Sequence, residues 1–246
     1  MNKLRQALFP GILILIGGAA HGLAMHMSFP EVIQSSKLVF IGTVKETAPR
    51  LSPTGKMVFT DVYFTDVELI HKEASFALGS ADGVTLSFAG GEWQERRVVV
   101  SGVPTFKAGE RFLLCVAYDD PFVANPLTGG PQGLFRIEFD EETGQEYPLA
   151  YGRRGIMGLD SHGELRLSSP IESIVSGRAA YAFDPLEDLR YLVAPTRTPD
   201  SPSPGSTARV SEVMATKQVP LSSLLDLEAF LKLVEPLWNG KKGAEP

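Results

Sequence analysis

The sequence predicts a mainly β fold: a closed antiparallel barrel of five to six strands, with an added small hairpin and a C-terminal helix. Segments such as residues 58–67 alternate two sets of side chains with a period of two, which is typical of strands. Short stretches rich in glycine and proline separate these segments, and helical periodicity is sparse before residue 219. Many short strands joined by tight turns favour a closed or nearly closed all-β unit.

The first 24 residues have the layout of a secretory signal peptide. Lys3 and Arg5 precede an apolar run that ends near Ala20, and small residues follow. Such a run is too short to span a bilayer comfortably. We therefore predict cleavage after Ala24 and a periplasmic or extracellular mature chain; cleavage after Ala20 and a retained N-terminal anchor are the alternatives.

The charge balance disfavours two classes of partner. Loss of Lys3 and Arg5 lowers the Lys and Arg count from 23 to 21 against 29 Asp and Glu, so the net charge moves from −6 to −8. An acidic chain repels nucleic acid and anionic lipid, so neither is expected as a partner. After the signal, no segment of the sequence is apolar enough for a membrane span.

The single cysteine, Cys115, has no partner for an intramolecular disulfide. It lies in the apolar stretch RFLLCVAY, which predicts a small buried residue rather than a reactive thiol. The exported chain is therefore expected to depend on its hydrophobic core for stability.

Three strands are predicted to begin the barrel. Residues 37–47 are rich in Val, Ile, Phe and Thr, and Gly42 in their midst indicates a bulge or bend. Residues 57–72 form a long strand that is expected to pair antiparallel with the first one. The third strand, VTLSFAGG, ends at Gly90 and Gly91.

Later segments continue the all-β pattern. RRVVVSGVP and ERFLLCVAYDD are predicted strands, and the turn between them holds Phe106 inward. The next strands are GLFRIEFD and YPLAYG, and residues 154–169 form the added hairpin around an Asp160–Gly163 turn. The barrel is expected to close between Lys37 and Phe139. Its predicted corners are Gly42, Gly90, Gly91 and Gly102.

The barrel domain is predicted to span residues 28–193 and to include short helices. Ser28 is an expected N-cap, and residues 169–177 and 184–193 have helical patterns. Residues 194–218 are rich in Pro, Ser and Thr, which indicates a flexible linker.

Residues 219–238 predict an amphipathic helix with Ser222 or Ser223 as its cap and Pro236 at its end. The helix is expected to dock on the barrel, with a partner-binding tail as the alternative.

The Gly90-Gly91 pair is interpreted as turn material. A phosphate loop needs Lys and a hydroxyl residue directly after its last glycine, whereas Glu92 and Trp93 follow here. No cofactor is therefore predicted. Exposed side chains beside this turn, Glu92, Trp93 and Arg96, are the candidates for a binding surface, although Trp93 equally fits a core position at the barrel end.

Two other groups of residues suggest chemistry. Ser161 and His162 place a nucleophile beside a base, but neighbours in a tight turn point in different directions, so they are interpreted as turn residues. Met25, His26 and Met27 begin the mature chain, and an amine, an imidazole and thioethers are suitable copper ligands. A flexible chain start without metal is the favoured interpretation.

A family resemblance covers about residues 36–140. SSKLVFIGTV, FTDVYFTDVELI, VTLSFAGGEW, VSGVPTFKAGERFLLCV and PQGLFRIEFD resemble, in this order, a group of exported bacterial proteins of unknown function. The resemblance implies an OB-fold barrel similar to netrin-like domains and to tissue inhibitors of metalloproteinases. Those inhibitors chelate zinc through a disulfide-tied N-terminal cysteine, which this chain lacks.

We therefore predict an exported, non-enzymatic binding module whose ligand is a protein, peptide or glycan of the envelope. The first alternative is an inhibitor or accessory partner of an exported metalloprotease. The second is a hydrolase that uses Ser161 and His162 or a pair of carboxylates.

Overall fold

A computed structural model describes residues 26–77, 83–175, 178–181 and 218–239. The predicted signal peptide, the predicted helix at 184–193 and nearly all of the predicted linker lie outside the described residues. Within the described part of the chain, no helix is long and apolar enough to cross a membrane.

The described chain is mainly β. The helices are α1 (Phe29–Ser35) and α2 (Leu227–Asn239), and two 3-10 turns cover Gly130–Gly133 and Leu221–Ser223. The strands are β1 (Leu38–Leu51), β2 (Val58–Lys72), β3 (Val84–Ala89), β4 (Gly91–Trp93), β5 (Arg96–Val98), β6 (Arg111–Val116), β7 (Leu134–Asp140), β8 (Gln145–Ala150), β9 (Arg154–Leu159), β10 (Leu165–Val175), β11 (Arg178–Tyr181) and β12 (Gln218–Pro220).

One large antiparallel sheet contains most of these strands, as predicted for a mainly β fold. Its order is β12-β11-β10-β9-β8-β7-β6-β1-β2-β3, and β4 and β5 form a separate two-stranded sheet. Closure would require β3 to pair with a strand such as β7, but β8 occupies the second edge of β7. Among the described strands the sheet is therefore open, and the five- to six-stranded OB-like barrel is not confirmed.

Local deviations from the predictions have simple causes. The prediction of a helix at 169–177 is wrong, because residues up to Val175 belong to β10. The β-branched residues Ile171, Ile174 and Val175 favour a strand. The hairpin around Asp160–Gly163 is present, but its strands β9 and β10 extend the main sheet.

The first half of β1, up to Val44, and strand β6 are buried on both faces, and this creates two hydrophobic cores. On one face, Val39, Ile41 and Cys115 pack beneath the two α-helices; we call this the helix-covered core. On the other face, Phe40 and Phe112 pack with side chains from β2 and β3; we call this the aromatic core.

The bend predicted at Gly42 is present in β1. The register between β1 and β2 shifts between Ile41 and Thr43. A side chain at this position would press on Phe40 and Phe64, since a Cβ would lie 3.1 Å from the first ring and 3.2 Å from the Cβ of the second. Glycine therefore lets β1 bend beside two closely packed rings of the aromatic core.

Helix α1 begins at the predicted cap. The Ser28 hydroxyl accepts a hydrogen bond from the Glu31 N–H (3.3 Å), and the Glu31 carboxylate accepts one from the Ser28 N–H (2.7 Å). This reciprocal capping box satisfies two amides that the first helical turn leaves without partners. The same Ser28 N–H lowers the pKa of the Glu31 carboxyl.

Helix α2 docks on the sheet and on α1. Phe230, Val234 and Trp238 are buried, and the Trp238 Nε1–H donates to the Ile33 carbonyl at 3.0 Å. The helix begins later than predicted: Asp226 accepts a hydrogen bond from the Ala229 N–H at 2.7 Å, which replaces the expected serine cap. Pro236 lies inside the helix instead of ending it.

Candidate functional site: a cleft beneath the Gly90–Gly91 hairpin

Gly90 and Gly91 turn the chain out of β3. Their φ values are +106° and +121°, a region that residues with a Cβ rarely adopt. The Gly90 N–H donates to the Val58 carbonyl at 2.8 Å, and the Thr60 hydroxyl donates to the Gly90 carbonyl at 2.8 Å. A Cβ on Gly91 would clash with the Thr60 hydroxyl. The pair thus presses the chain closely against β2, in agreement with its interpretation as a turn.

The turn leads into a hairpin that covers one end of the aromatic core. Strands β4 and β5 pair only with each other, with Glu92 opposite Arg97 and Trp93 opposite Arg96. The hairpin is therefore held on the main sheet by the contacts of Gly90 and Gly91 and by side-chain packing, instead of by strand pairing with the sheet.

A cleft of about 350 Å³ lies between this hairpin and the sheet. Thr47, Thr60 and Val62 line it from β1 and β2, and Phe88 lines it from β3. The segment that follows β5 closes the other side with valines, Pro104 and Phe106. The volume falls near the lower end of the range for ligand pockets, and most of the lining is apolar, as is usual for such sites.

Aromatic rings form the floor of the cleft. Phe106 packs against Phe88 with a centroid distance of 4.7 Å and a tilt of 48°. It also makes edge contacts with Phe64 at 5.8 Å and Phe112 at 5.2 Å. The inward position predicted for Phe106 is thus confirmed. These contacts hold the Phe106 ring in place beside the open space.

The rim of the cleft contains one charged pair and one exposed apolar side chain. Glu92 and Arg97 form an ion pair at 3.4 Å, with side chains 69% and 75% exposed. Pairs this exposed contribute little to stability, so both groups are available to a ligand. Val99, which also lines the cleft, is 81% exposed.

The three predicted binding residues all lie on the hairpin but differ in position. Glu92 lines the cleft, whereas Trp93 and Arg96 do not. Trp93 is half-buried, and Arg96 is exposed at the hairpin tip. Sequence reasoning missed the opposite wall, residues 98–106. The sequence feature that could have identified this wall is the run of three valines at 98–100, of which only the first belongs to a strand.

The copper candidates do not come together as a described group. Met25 lies outside the described residues and His26 is exposed, whereas Met27 packs against the helix-covered core. No group of three His, Cys, Asp or Glu side chains suited to a metal occurs among the described residues. Copper binding at this position stays the less favoured alternative.

Ser161 and His162 lie in an exposed turn, as predicted. Asp160 Oδ1 accepts hydrogen bonds from the N–H groups of His162 (2.8 Å) and Glu164 (3.0 Å). The Glu164 and His162 amides lower the pKa of the Asp160 carboxyl. This carboxylate therefore closes the turn by binding backbone, which gives these residues a structural role.

A polar cluster links β1, β2 and β3. Arg50 pairs with Asp61 at 2.8 Å and donates to the Ser87 hydroxyl and the Pro121 carbonyl, each at 3.1 Å. Its guanidinium also lies over the Phe59 ring at 5.4 Å. These groups bind each other, so the cluster stabilises strand packing.

Cys115 is fully buried, and burial raises the pKa of its thiol to about 12. The thiol therefore stays protonated at neutral pH, and the predicted packing role agrees with this environment.

Comparisons with protein-family models, with curated proteins and with solved structures find no match to this chain. The class that the described fold and site define is a mainly β protein with an apolar cleft between a two-stranded hairpin and a large antiparallel sheet.

Proposed function

We propose that this protein is an exported, non-enzymatic binding module whose cleft receives an apolar group that projects from a protein or peptide of the envelope. The observation that carries the proposal is the cleft itself: about 350 Å³ of space with a largely apolar lining, open to solvent beside the charged pair Glu92 and Arg97. Apolar clefts with a few polar groups at the rim are the usual form of a binding site.

The lining favours a polypeptide ligand over a glycan. Val62, Phe88 and Phe106 contribute apolar surface, and the hydroxyl of Thr60 is already bonded to Gly90. A sugar ring carries many hydroxyl groups, each of which loses its water on burial unless it finds a hydrogen-bond partner. An apolar side chain has no such cost.

Insertion of a side chain is also favoured over addition of a strand. The pairing of β1 with β6 covers only residues 38–43, so the later part of β1 beside the cleft has a free edge within the described sheet. Pro49 lies on this stretch and lines the cleft. Proline has no N–H to donate to an added strand, and it is a usual means of blocking edge pairing.

For the fold, we propose that β1, β2, β3, β6 and β7 form an open variant of the OB-like barrel. Support comes from β1, which pairs with β2 on one side and with β6 on the other, while β6 pairs with β7. The continuation of β7 into β8 then replaces the closing contact with β3.

The binding proposal is tested with two matched variants. Val100 is half-buried in the cleft wall, whereas Leu69 is 48% exposed on β2 and does not line the cleft. Tagged wild-type protein, Val100→Glu and Leu69→Glu are used to capture partners from the native envelope fraction, after thermal unfolding shows that all three are folded. We expect a partner that wild type and Leu69→Glu retain and that Val100→Glu loses by at least about tenfold, since a buried charge is costly. Equal capture by all three proteins would refute the role of the cleft.

A further inference from the structure

We infer that the group this cleft selects is an aromatic side chain of the partner polypeptide, in preference to an aliphatic one of equal size. The inference rests on the proposed function of the cleft and adds the chemical class of its ligand.

The floor provides the first argument. Phe88 and Phe106 both line the cleft, and their rings are only 4.7 Å apart between centroids. Ring pairs gain from the attraction between the positive edge of one ring and the negative face of another, in addition to the area that they bury. A ring that enters the cleft extends this cluster, whereas an aliphatic group gains only the buried area.

The rim provides charges that complement an aromatic side chain. The Arg97 guanidinium is a planar cation that stacks well on ring faces. The Glu92 carboxylate is an acceptor for the positive ring edge, for an indole N–H or for a phenol O–H. Both side chains are more than two-thirds exposed and both line the cleft.

Size is compatible with a single side chain. The volume of about 350 Å³ is at the low end of the range for ligand pockets, so the cleft has room for one ring and its attachment.

Two small probes with the same backbone, one with an aromatic and one with a saturated six-membered ring, test the inference. N-acetyl-phenylalaninamide and N-acetyl-cyclohexylalaninamide are titrated into the protein while the methyl NMR signals of Val98, Val100 and Val103 are followed. We expect both probes to shift these signals at millimolar concentration, with the aromatic probe binding about two- to tenfold more tightly. Equal affinities, or a preference for the saturated ring, would overturn the inference and leave the cleft as a binding site. If neither probe shifts these signals, the proposed function and the inference fail together.

Variants locate the source of the preference. Phe106→Leu is expected to reduce the ratio of the two affinities towards one, because the ring beside the ligand is lost. Phe112→Leu is the matched control: it removes a ring from the same cluster that does not line the cleft, and the ratio is expected to persist. Arg97→Met is expected to weaken only the aromatic probe, whereas Arg166→Met, at an exposed arginine of β10 that does not line the cleft, leaves both affinities unchanged. An unchanged ratio in both folded Phe106→Leu and Arg97→Met would contradict the proposed contacts, and the wild-type comparison decides the inference if a variant does not fold.

Discussion

The helix-covered core and the aromatic core share strands β1 and β6 but differ in how they are covered. Over the first core, α2 places Phe230 and Val234 on the sheet, and both are fully buried. Over one end of the second core, a hairpin of two three-residue strands is the cover, and a cleft of about 350 Å³ remains. A long amphipathic helix presents a continuous apolar stripe, whereas a short hairpin offers few inward side chains. Under the proposed function, this difference is a division of roles, in which one face stabilises the fold and the other leaves space for a ligand.

The largest expected effect comes from the helix-covered core. Phe230 is fully buried and contacts the rings of Phe29 and Phe135 at 5.8 and 5.1 Å. Phe230→Ala is expected to lower the free energy of unfolding by about 3–5 kcal/mol, because it removes buried surface and leaves a cavity. Urea unfolding measures the change. Lys232→Ala, on the exposed side of the same helix, is expected to change stability by less than about 0.5 kcal/mol. If the two variants are equally stable, α2 is not a structural cover.

An intermediate effect is expected at the base of the hairpin. Gly91→Ala adds a Cβ at a φ of +121° and forces it against the Thr60 hydroxyl. We expect a loss of about 1–3 kcal/mol and altered chemical shifts across β4 and β5. Gly102→Ala is the control, since its φ is also positive but no atom lies within 4 Å of the added Cβ. In a double-mutant cycle, Gly91→Ala is expected to cost less in the Thr60→Ala background than in the wild type, and an equal cost in both backgrounds would exclude the clash as its cause.

The smallest effect is a pH dependence of the helix-covered core. Burial raises the pKa of the Cys115 thiol from 9.0 to about 12 in the folded chain. The stability that this shift contributes is fully present below pH 9. It is lost as pH rises from about 9 towards 12, because the unfolded thiol ionises first. Between pH 9 and 10 we expect a loss of roughly 1 kcal/mol that Cys115→Ala does not show. Equal pH profiles of the two proteins would argue against burial of the thiol.

Local sequence patterns predicted much of the secondary structure. The alternation through 57–72 identified β2, and the spacing of Ser28 and Glu31 identified the cap of α1. Glycine at 90 and 91 indicated a turn, and both residues have positive φ. These features depend on residues near one another in the chain, so their physical causes are visible in a short window.

Predictions that depended on distant contacts were less successful. The sheet was expected to close, but β8 pairs with the edge of β7 that a closing strand would have needed. The segment 169–175 has a helical pattern and nevertheless forms part of β10, because pairing with β9 and β11 outweighs a weak local preference. The cleft walls come from segments as distant in the sequence as Thr47 and Phe106. A short window of sequence does not show that such segments meet. Of the three predicted binding residues, only Glu92 lines the cleft.

The amino-acid sequence by itself determined the β class, the turns, the helix cap and the burial of Cys115, because period, glycine conformation and side-chain polarity act locally. Only the tertiary structure decided that the sheet stays open, that α2 covers one face of β1 and β6, and that a cleft lies on the other. Those outcomes depend on competition among segments for the same strand edges and the same apolar surface, and that competition is resolved only when the whole chain packs.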